Sequence, residues 1–446
     1  MVKKFQLQLI NNNMNIEFTI KKEQQFNDLI IFGFEDQNLP VINQYKEILS
    51  KIKKEFTGKG DDILVYPVFD NKQTQRLILV GLGKSQHFKI NNLAKSITNL
   101  VKVLETKKIL KFDLYWPQFL IKKFKDTEHL LTLLIKYFYL SSYKFNEYQS
   151  SKKEAVNIEK VNLLNLKEIP KLNKIIDDMC IIGQAINYTR DLNNQPAQKV
   201  TPKYFADQAQ KISEQNKNLK VKILGAAEMK KLGMGGILGV GAGSQHTPRF
   251  IILEYLTAPK NKKPIIFIGK SITFDSGGIS LKPGEGMDEM KMDMSGGGAV
   301  LGLMKAVSQL GLKTNAIALI PACENMPSGT AYKPGDILQA MNKKTIEVLN
   351  TDAEGRIILA DALSYAVKYK PQSVIDLATL TGACMIALGT QRAGLFGNES
   401  RLIDKLHELG EEVNELLWPM PLDPEYSEQI KSKIADVRNL ATSKYG

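Results

Sequence analysis

Histidine is scarce. The 446 residues hold four, His87, His129, His246 and His407, and none stands in a His-Glu-x-x-His array. A histidine-based zinc site is therefore not expected, and a metal, if held, falls to carboxylates. Cysteine is scarcer still: Cys180, Cys323 and Cys384 lie far apart without paired spacing, which argues against a disulfide framework and for reduced thiols packed as small core residues. Long apolar runs are missing too. The longest, around Leu130 to Leu140, is interrupted by Lys136 and is too short to span a bilayer. The start, Met1 to Ile10, gives way to Asn11-Asn-Asn-Met-Asn15 and builds no signal-peptide core. Neither secretion nor membrane crossing is expected, and the location expected is cytoplasmic. No Cys or Ser/His arrangement suited to a covalent nucleophile is visible along the chain.

What is present is an ordinary globular composition, 43% hydrophobic, long enough for two or three domains. The net charge is +13, and residues 1–170 carry 27 Lys and Arg against 18 Asp and Glu, most of the surplus. That surplus reads either as a docking surface for an acidic partner such as nucleic acid or, preferably, as lysines solvating helix faces. There is no aromatic-interleaved basic motif of the kind single-strand binders use. Over 1–150, strand-like runs at Ile63–Tyr66 and Leu77–Val80 alternate with helical periodicity over 92–104 and 128–139, an α/β pattern. The stretch 150–170 is polar and broken, as a linker would be, and 172–190 reads as one helix. Thr201-Pro202 is a helix start, with Thr as cap and Pro in the first turn. Strands are expected at 250–255, 265–268, 317–320 and 374–377, with helices over 298–309 and 358–370, making an α/β sandwich after residue 192. Gly83-Lys-Ser85 and Gly269-Lys-Ser271 lack the earlier glycine of a phosphate loop, and Ser244 occupies the last glycine place of a dinucleotide fingerprint, so nucleotide sites are rejected.

Two stretches concentrate charge among glycines. Ile265–Ile268 gives out at Gly269 and delivers Lys270, then Asp275-Ser-Gly-Gly278 and Lys282, to a strand's carboxyl end, where ligands of α/β sheets bind. Asn350-Thr-Asp352-Ala-Glu354-Gly-Arg356 alternates its charges, so that an extended segment would project all three from one face. Asp293 lies between. Four carboxylates beside two lysines and one arginine repel one another unless cations sit among them. A surface salt-bridge cluster is the plainer alternative, but such clusters are not normally wrapped in glycines. Two cations about 3.5–4 Å apart polarise a carbonyl and acidify a bridging water, so hydrolysis then needs no side-chain nucleophile.

These stretches resemble the signature of the leucyl aminopeptidase family, also called cytosol aminopeptidases. Asn350–Arg356 is its most specific piece, joined in the family's order by Asp275–Gly278, Met290–Gly297, Pro321–Gly329, Tyr332–Asp336 and Ala378–Ala383. The resemblance implies a small amino-terminal α/β domain (1–150), a linker and connecting helix (151–191) and a larger α/β sandwich catalytic domain with a central mixed sheet (192–446). It implies a metal-dependent aminopeptidase acting on leucine-type amino termini of peptides. Asp275 and Glu354 would bridge two divalent ions, Zn2+ or Mn2+; Asp352 would complete one site, and Lys270 and Asp293 the other, with Lys270 neutral. Lys282 would stabilise the oxyanion and Arg356 would hold a bicarbonate. Met290, Thr379, Leu380 and Gly382 would bind substrate, and six copies would assemble into a hexamer.

Three departures stand out: Ser271 in place of a usual glycine, Gly298 in place of a usual alanine, and an end at Lys444-Tyr445-Gly446 where relatives continue through a further helix and strand. The last leads to the expectation of an exposed sheet edge near Ile434 to Leu440 and an open substrate pocket. It also keeps a second reading in view: a structural or interaction relative that retains the fold and ligands and assembles into a larger complex.

Overall fold

The computed structural model describes residues 15–22, 28–70, 73–150, 157–167 and 169–443. The expectations that rest on residues 1–14 and 444–446 lie outside the described residues. The chain divides into two compact units, one up to Asn187 and one from Tyr188.

The first unit is built on a six-stranded sheet. Its strands are β1 (Glu17–Lys21), β2 (Leu29–Gly33), β3 (Ile63–Asp70), β4 (Gln73–Gly81), β5 (Lys111–Tyr115) and β6 (Lys160–Leu164), in the order β1-β6-β5-β2-β4-β3. All neighbours are parallel except β3 and β4. Leu29, Ile30, Ile31 and Phe32 are buried on both faces of β2, as parallel strands between helices require. Helices Ile90–Thr106 and Thr127–Ser142 pack their apolar stripes against this sheet. The stretch expected as linker is partly sheet: β6 sits inside the order, between β1 and β5, with Val161, Leu163 and Leu164 buried. Its apolar content is only five residues long between polar neighbours, too short for periodicity to separate from a loop. The helix expected over 172–190 runs Pro170–Asn194 and crosses the division between units.

The second unit holds a mixed sheet of β7 (Leu219–Leu224), β8 (Arg249–Leu256), β9 (Ile265–Gly269), β10 (Ser271–Asp275), β11 (Asn315–Asn325) and β14 (Ser373–Leu377), ordered β14-β9-β11-β8-β7 with β10 also on β11. β9, β10 and β14 run parallel to their neighbours, while β8 is antiparallel to β11 and to β7. All eleven residues of β11 are buried. Phe250, Ile252, Ile266, Ile268, Ile317 and Leu319 share a cluster with Ile237, Val240, Ile357 and Ile358 from the helices Gly235–Val240 and Gly355–Ala366. Helices Pro202–Glu214 and Ser295–Gln309 also pack on this sheet. Thr201 caps the former, accepting from Tyr204 N with Pro202 in the first turn. Each large aliphatic side chain taken from water here contributes about 1.5–3 kcal/mol, which holds the sheet rigid under the loops at its ends.

Three short strands, β12 (Ile337–Gln339), β13 (Thr345–Glu347) and β17 (Val437–Arg438), form a separate sheet in that order, and β15 (Ala393–Leu395) pairs with β16 (Leu417–Pro419). Within 434–440, Val437–Arg438 alone is strand, at the edge of this sheet and paired with β13. Ile434 and Leu440 are exposed, but Asn439 is buried and donates from Nδ2 to the carbonyls of Asn350 (2.7 Å) and Ala353 (3.3 Å), tying the segment to the acidic loop. Among the described residues no helix is long and apolar enough to cross a membrane.

Candidate metal centre

The strand that gives out at Gly269 resumes at once. β9 lies on residues 316–319 of β11, Lys270 breaks the line by donating its backbone N–H to Leu377 O, and β10 pairs with residues 322–325. Lys270 therefore stands at the seam of two collinear strands and Asp275 at the end of the second, a strand that the sequence reading had not marked. Both are 3% exposed.

The acidic loop corrects an expectation. Residues 350–356 are not extended: Asn350 Oδ1 accepts Asp352 N (2.8 Å), its carbonyl accepts Ala353 N, and the helix Gly355–Ala366 starts directly after Glu354. Asn at the head of such a turn mimics a backbone turn with its side chain, which defeats strand alternation. Glu354 occupies the capping position of this helix, and Asp293 lies just before the helix Ser295–Gln309, so two acids sit where helix dipoles favour negative charge. Gly355 is needed because a Cβ there would come 2.5 Å from Lys270 Cε.

Lys270 Nζ pairs with Asp293 Oδ2 (2.7 Å) and Glu354 Oε1 (2.9 Å) and donates to Thr379 O (2.9 Å); it does not pair with Asp275. Thr379 Oγ1 donates to Asp293 Oδ1 (2.8 Å). Lys282, half-buried, pairs with Asp275 Oδ2 (3.0 Å) and with Asp352. Carboxylate oxygens of Asp275, Asp293 and Glu354 lie within 4.8 Å of one another. Burial pushes the Asp293 carboxyl up to about 7 against the pull of Lys270, and burial likewise raises Glu354 and Asp352. Burial works against the Lys270 ammonium, but Glu354 and Asp293 outweigh it and hold its pKa above the ordinary lysine value. With all four acids ionised, two ammoniums leave an excess of negative charge, so burial and the neighbouring carboxylates raise the pKa of Asp293, Glu354 and Asp352 rather than lower it.

The donor set fits divalent cations. Asp293 Oδ2, Asp352 Oδ1 and Glu354 Oε1 are shut from solvent, and the ammonium beside each is shared with a second acid: Lys270 with Asp293 and Glu354, Lys282 with Asp275 and Asp352. Hard oxygen donors of this kind suit Mn2+, Mg2+ or Zn2+.

Of the other residues singled out in the sequence, Met290 is half-buried in the turn Met287–Met292, its carbonyl accepting Asp293 N at 3.3 Å. Leu380 and Gly382 follow Thr379 on exposed chain leading into the helix Gly382–Leu388. Arg356 is exposed in the first turn of its helix and makes no hydrogen bond or ion pair among the described residues. Sequence reasoning missed Asn325, Thr351 and Tyr332. Asn325 Nδ2 donates to Asp275 Oδ1 and Thr351 O, Tyr332 OH donates to Thr351 O, and Thr351 Oγ1 donates to Gly277 O (2.6 Å). The available signal for Asn325 was its place at the end of an apolar run, inside a motif quoted only for its likeness.

Comparison with known proteins gives this geometry a lineage. The profile described as "Cytosol aminopeptidase family, catalytic domain" matches residues 187–446, and "Cytosol aminopeptidase family, N-terminal domain" matches 42–152. The chain belongs to the cytosol aminopeptidase family. Within it, the chain is 39% identical over 439 residues to a "Probable cytosol aminopeptidase" of Nitrosococcus oceani, covering 96% of this chain and 87% of that one. A second, of Burkholderia ambifaria, is 40% identical over 423 residues, covering 93% and 84%. Among solved structures, "Bottromycin maturation enzyme BotP in complex with Mn" superposes with a TM-score of 0.79 at 26% identity, covering 94% of this chain and 87% of that one. The mixed α/β architecture with an amino-terminal unit and a larger catalytic unit is thus that of the cytosol aminopeptidases.

Proposed function

We propose that the chain is a metal-dependent aminopeptidase that removes leucine-type residues from the amino termini of peptides, with Asp275, Asp293, Asp352, Glu354 and Lys270 holding two divalent ions. The observation that carries this is the cluster of buried carboxylates, Asp275, Asp293 and Glu354, with Asp352 beside them and only two lysines among the four, at the strand ends of the second unit. When bound, the ions supply Lewis acidity toward the scissile carbonyl and acidify water. The chain's own residues do the rest. Lys282, aimed into the cluster between Asp275 and Asp352, offers an ammonium to the developing oxyanion, and a pre-placed donor of this kind contributes roughly 10²–10³ in rate. Arg356, exposed and unpaired among the described residues, is available to an anion such as bicarbonate. Met290, Thr379, Leu380 and Gly382 are assigned to the substrate's first residue; of these, Thr379 already touches Asp293 and Lys270.

Zn2+ or Mn2+ as the ion, a hexameric assembly, cytoplasmic residence, an acidic partner for the basic amino-terminal unit, and residues 192–446 as the catalytic domain belong to the same proposal. BotP with bound Mn favours Mn2+ as the first ion to test. Nothing in the site favours the alternative of a fold kept without activity, because every assigned ligand is present. Release of leucine from a leucyl peptide by protein loaded with Mn2+ or Zn2+, lost on chelation and regained on re-addition, is the expected result. No release by protein shown to contain metal would overturn the reading.

A further inference from the structure

We infer that Asn325 is a positioning residue of the metal centre: it fixes the orientation of the Asp275 carboxylate and locks together the two loops that carry the ligands. The inference rests on the metal reading above and deepens it. Asn325 is the last residue of β11, the fully buried central strand, and is itself 0% exposed. Its amide nitrogen spends both hydrogens, one on Asp275 Oδ1 (2.9 Å) and one on Thr351 O (2.9 Å). Two acceptors at that end fix which amide atom is nitrogen. Asp275 Oδ1 also accepts Gly277 N (3.0 Å), so this oxygen is held by the protein, while Oδ2 is the atom turned toward Lys282. Asn325 O accepts both N and Oγ of Ser276 (3.0 and 2.7 Å), so one residue grips the Asp275 loop at three points. Through Thr351 it also grips the loop bearing Asp352 and Glu354. The remaining atom, Oδ1, is buried without a partner, and a Cβ on Gly278, which has φ +67°, would stand 2.6 Å from it. Partners that orient a ligand in this way typically govern 10–100-fold in metal affinity.

The test is Mn2+ binding to the full-length protein, read from the electron paramagnetic resonance signal of free Mn2+, with the thermal midpoint of the metal-free protein measured alongside. Asn325→Ala and the equal-sized Asn325→Asp are expected to weaken Mn2+ affinity by about 10–100-fold. Asn315→Ala, at the opposite end of β11, removes the bonds that this buried side chain donates to Lys262 O (2.6 Å) and accepts from Ala258 N (3.1 Å) without touching a ligand loop. It is expected to lower the metal-free midpoint while leaving Mn2+ affinity within threefold. Asn325 variants with lowered midpoints but wild-type affinity would overturn the inference and leave the metal reading standing. A wild-type protein that binds no Mn2+ or Zn2+ would overturn both.

Discussion

The two large sheets bury polar groups in opposite ways. In the first unit, Asp113 (0% exposed) accepts a 2.6 Å hydrogen bond from Asn162 Nδ2, whose Oδ1 accepts from Thr19 Oγ1, so a single buried acid is held by an amide that a hydroxyl holds in turn. In the second, four acids accumulate around two lysines, each ammonium shared between two carboxylates. A satisfied buried network rigidifies a fold; an over-charged one is tolerated only where something else supplies the missing positive charge. The difference teaches where to look for chemistry: in the sheet whose polar interior does not balance itself.

The largest effect that would break this contrast is loss of the ligands. Asp275→Ala or Glu354→Ala is expected to take the metal content of the purified protein from two ions per chain to none, as read by elemental analysis after growth with excess Zn2+ or Mn2+. Retention of both ions would show that the acids are not what holds them.

Next comes Lys282→Ala, expected to lower kcat by roughly 10²–10³ with no loss of metal, the scale of removing one oxyanion donor. Turnover at the wild-type rate would assign Lys282 to ion pairing alone.

A buried lysine away from the cluster sharpens the comparison through pH. Lys305 is 5% exposed, donates to Gln309 Oε1 at 3.0 Å, and burial pushes it down to about 8. Below pH 8 it is charged in both folded and unfolded chains, and the full cost of burying the charge is present. Between pH 8 and the ordinary value of 10.5 the unfolded chain binds more protons, so stability rises with pH across that window. Lys305→Met should flatten the rise, worth on the order of 3 kcal/mol, in denaturant titrations at pH 8 and 10.5. An unchanged slope would locate the effect elsewhere.

The smallest effect is the control in the first sheet. Asn162→Ala should cost about 1–3 kcal/mol of stability for the lost bond to Asp113, and leave metal content and kcat unchanged. A fall in metal content would deny that the two interiors are different in kind.

Much of the fold was legible because it rests on period and punctuation: the apolar run stopping at Gly269, the Thr201-Pro202 helix start, and the apolar stripe expected over 358–370, whose α-helix runs Gly355–Ala366. What escaped is instructive. β6 was hidden by brevity, and the turn at 350–354 by an alternation that holds only for extended chain, although Asn350 is a turn-former and the helical apolar spacing begins at Ile357. The ligand candidates were visible as residue types among glycines. Their supports, Asn325, Thr351 and Tyr332, were not, since an amide or hydroxyl declares its role only when its partners are placed.

The burial of β11 has a consequence in time. Its amides are hydrogen-bonded to β8 on one side and to β9 and β10 on the other, with no face open to water. Strands so enclosed exchange their backbone protons for deuterium only when the entire unit opens, whereas surface turns exchange through small local excursions. Because Asn325 ends that strand and Asp275 ends its neighbour, slow exchange of this kind is expected right up to the residues assigned to the chemistry, and the cluster is expected to last, in each molecule, as long as the sheet does.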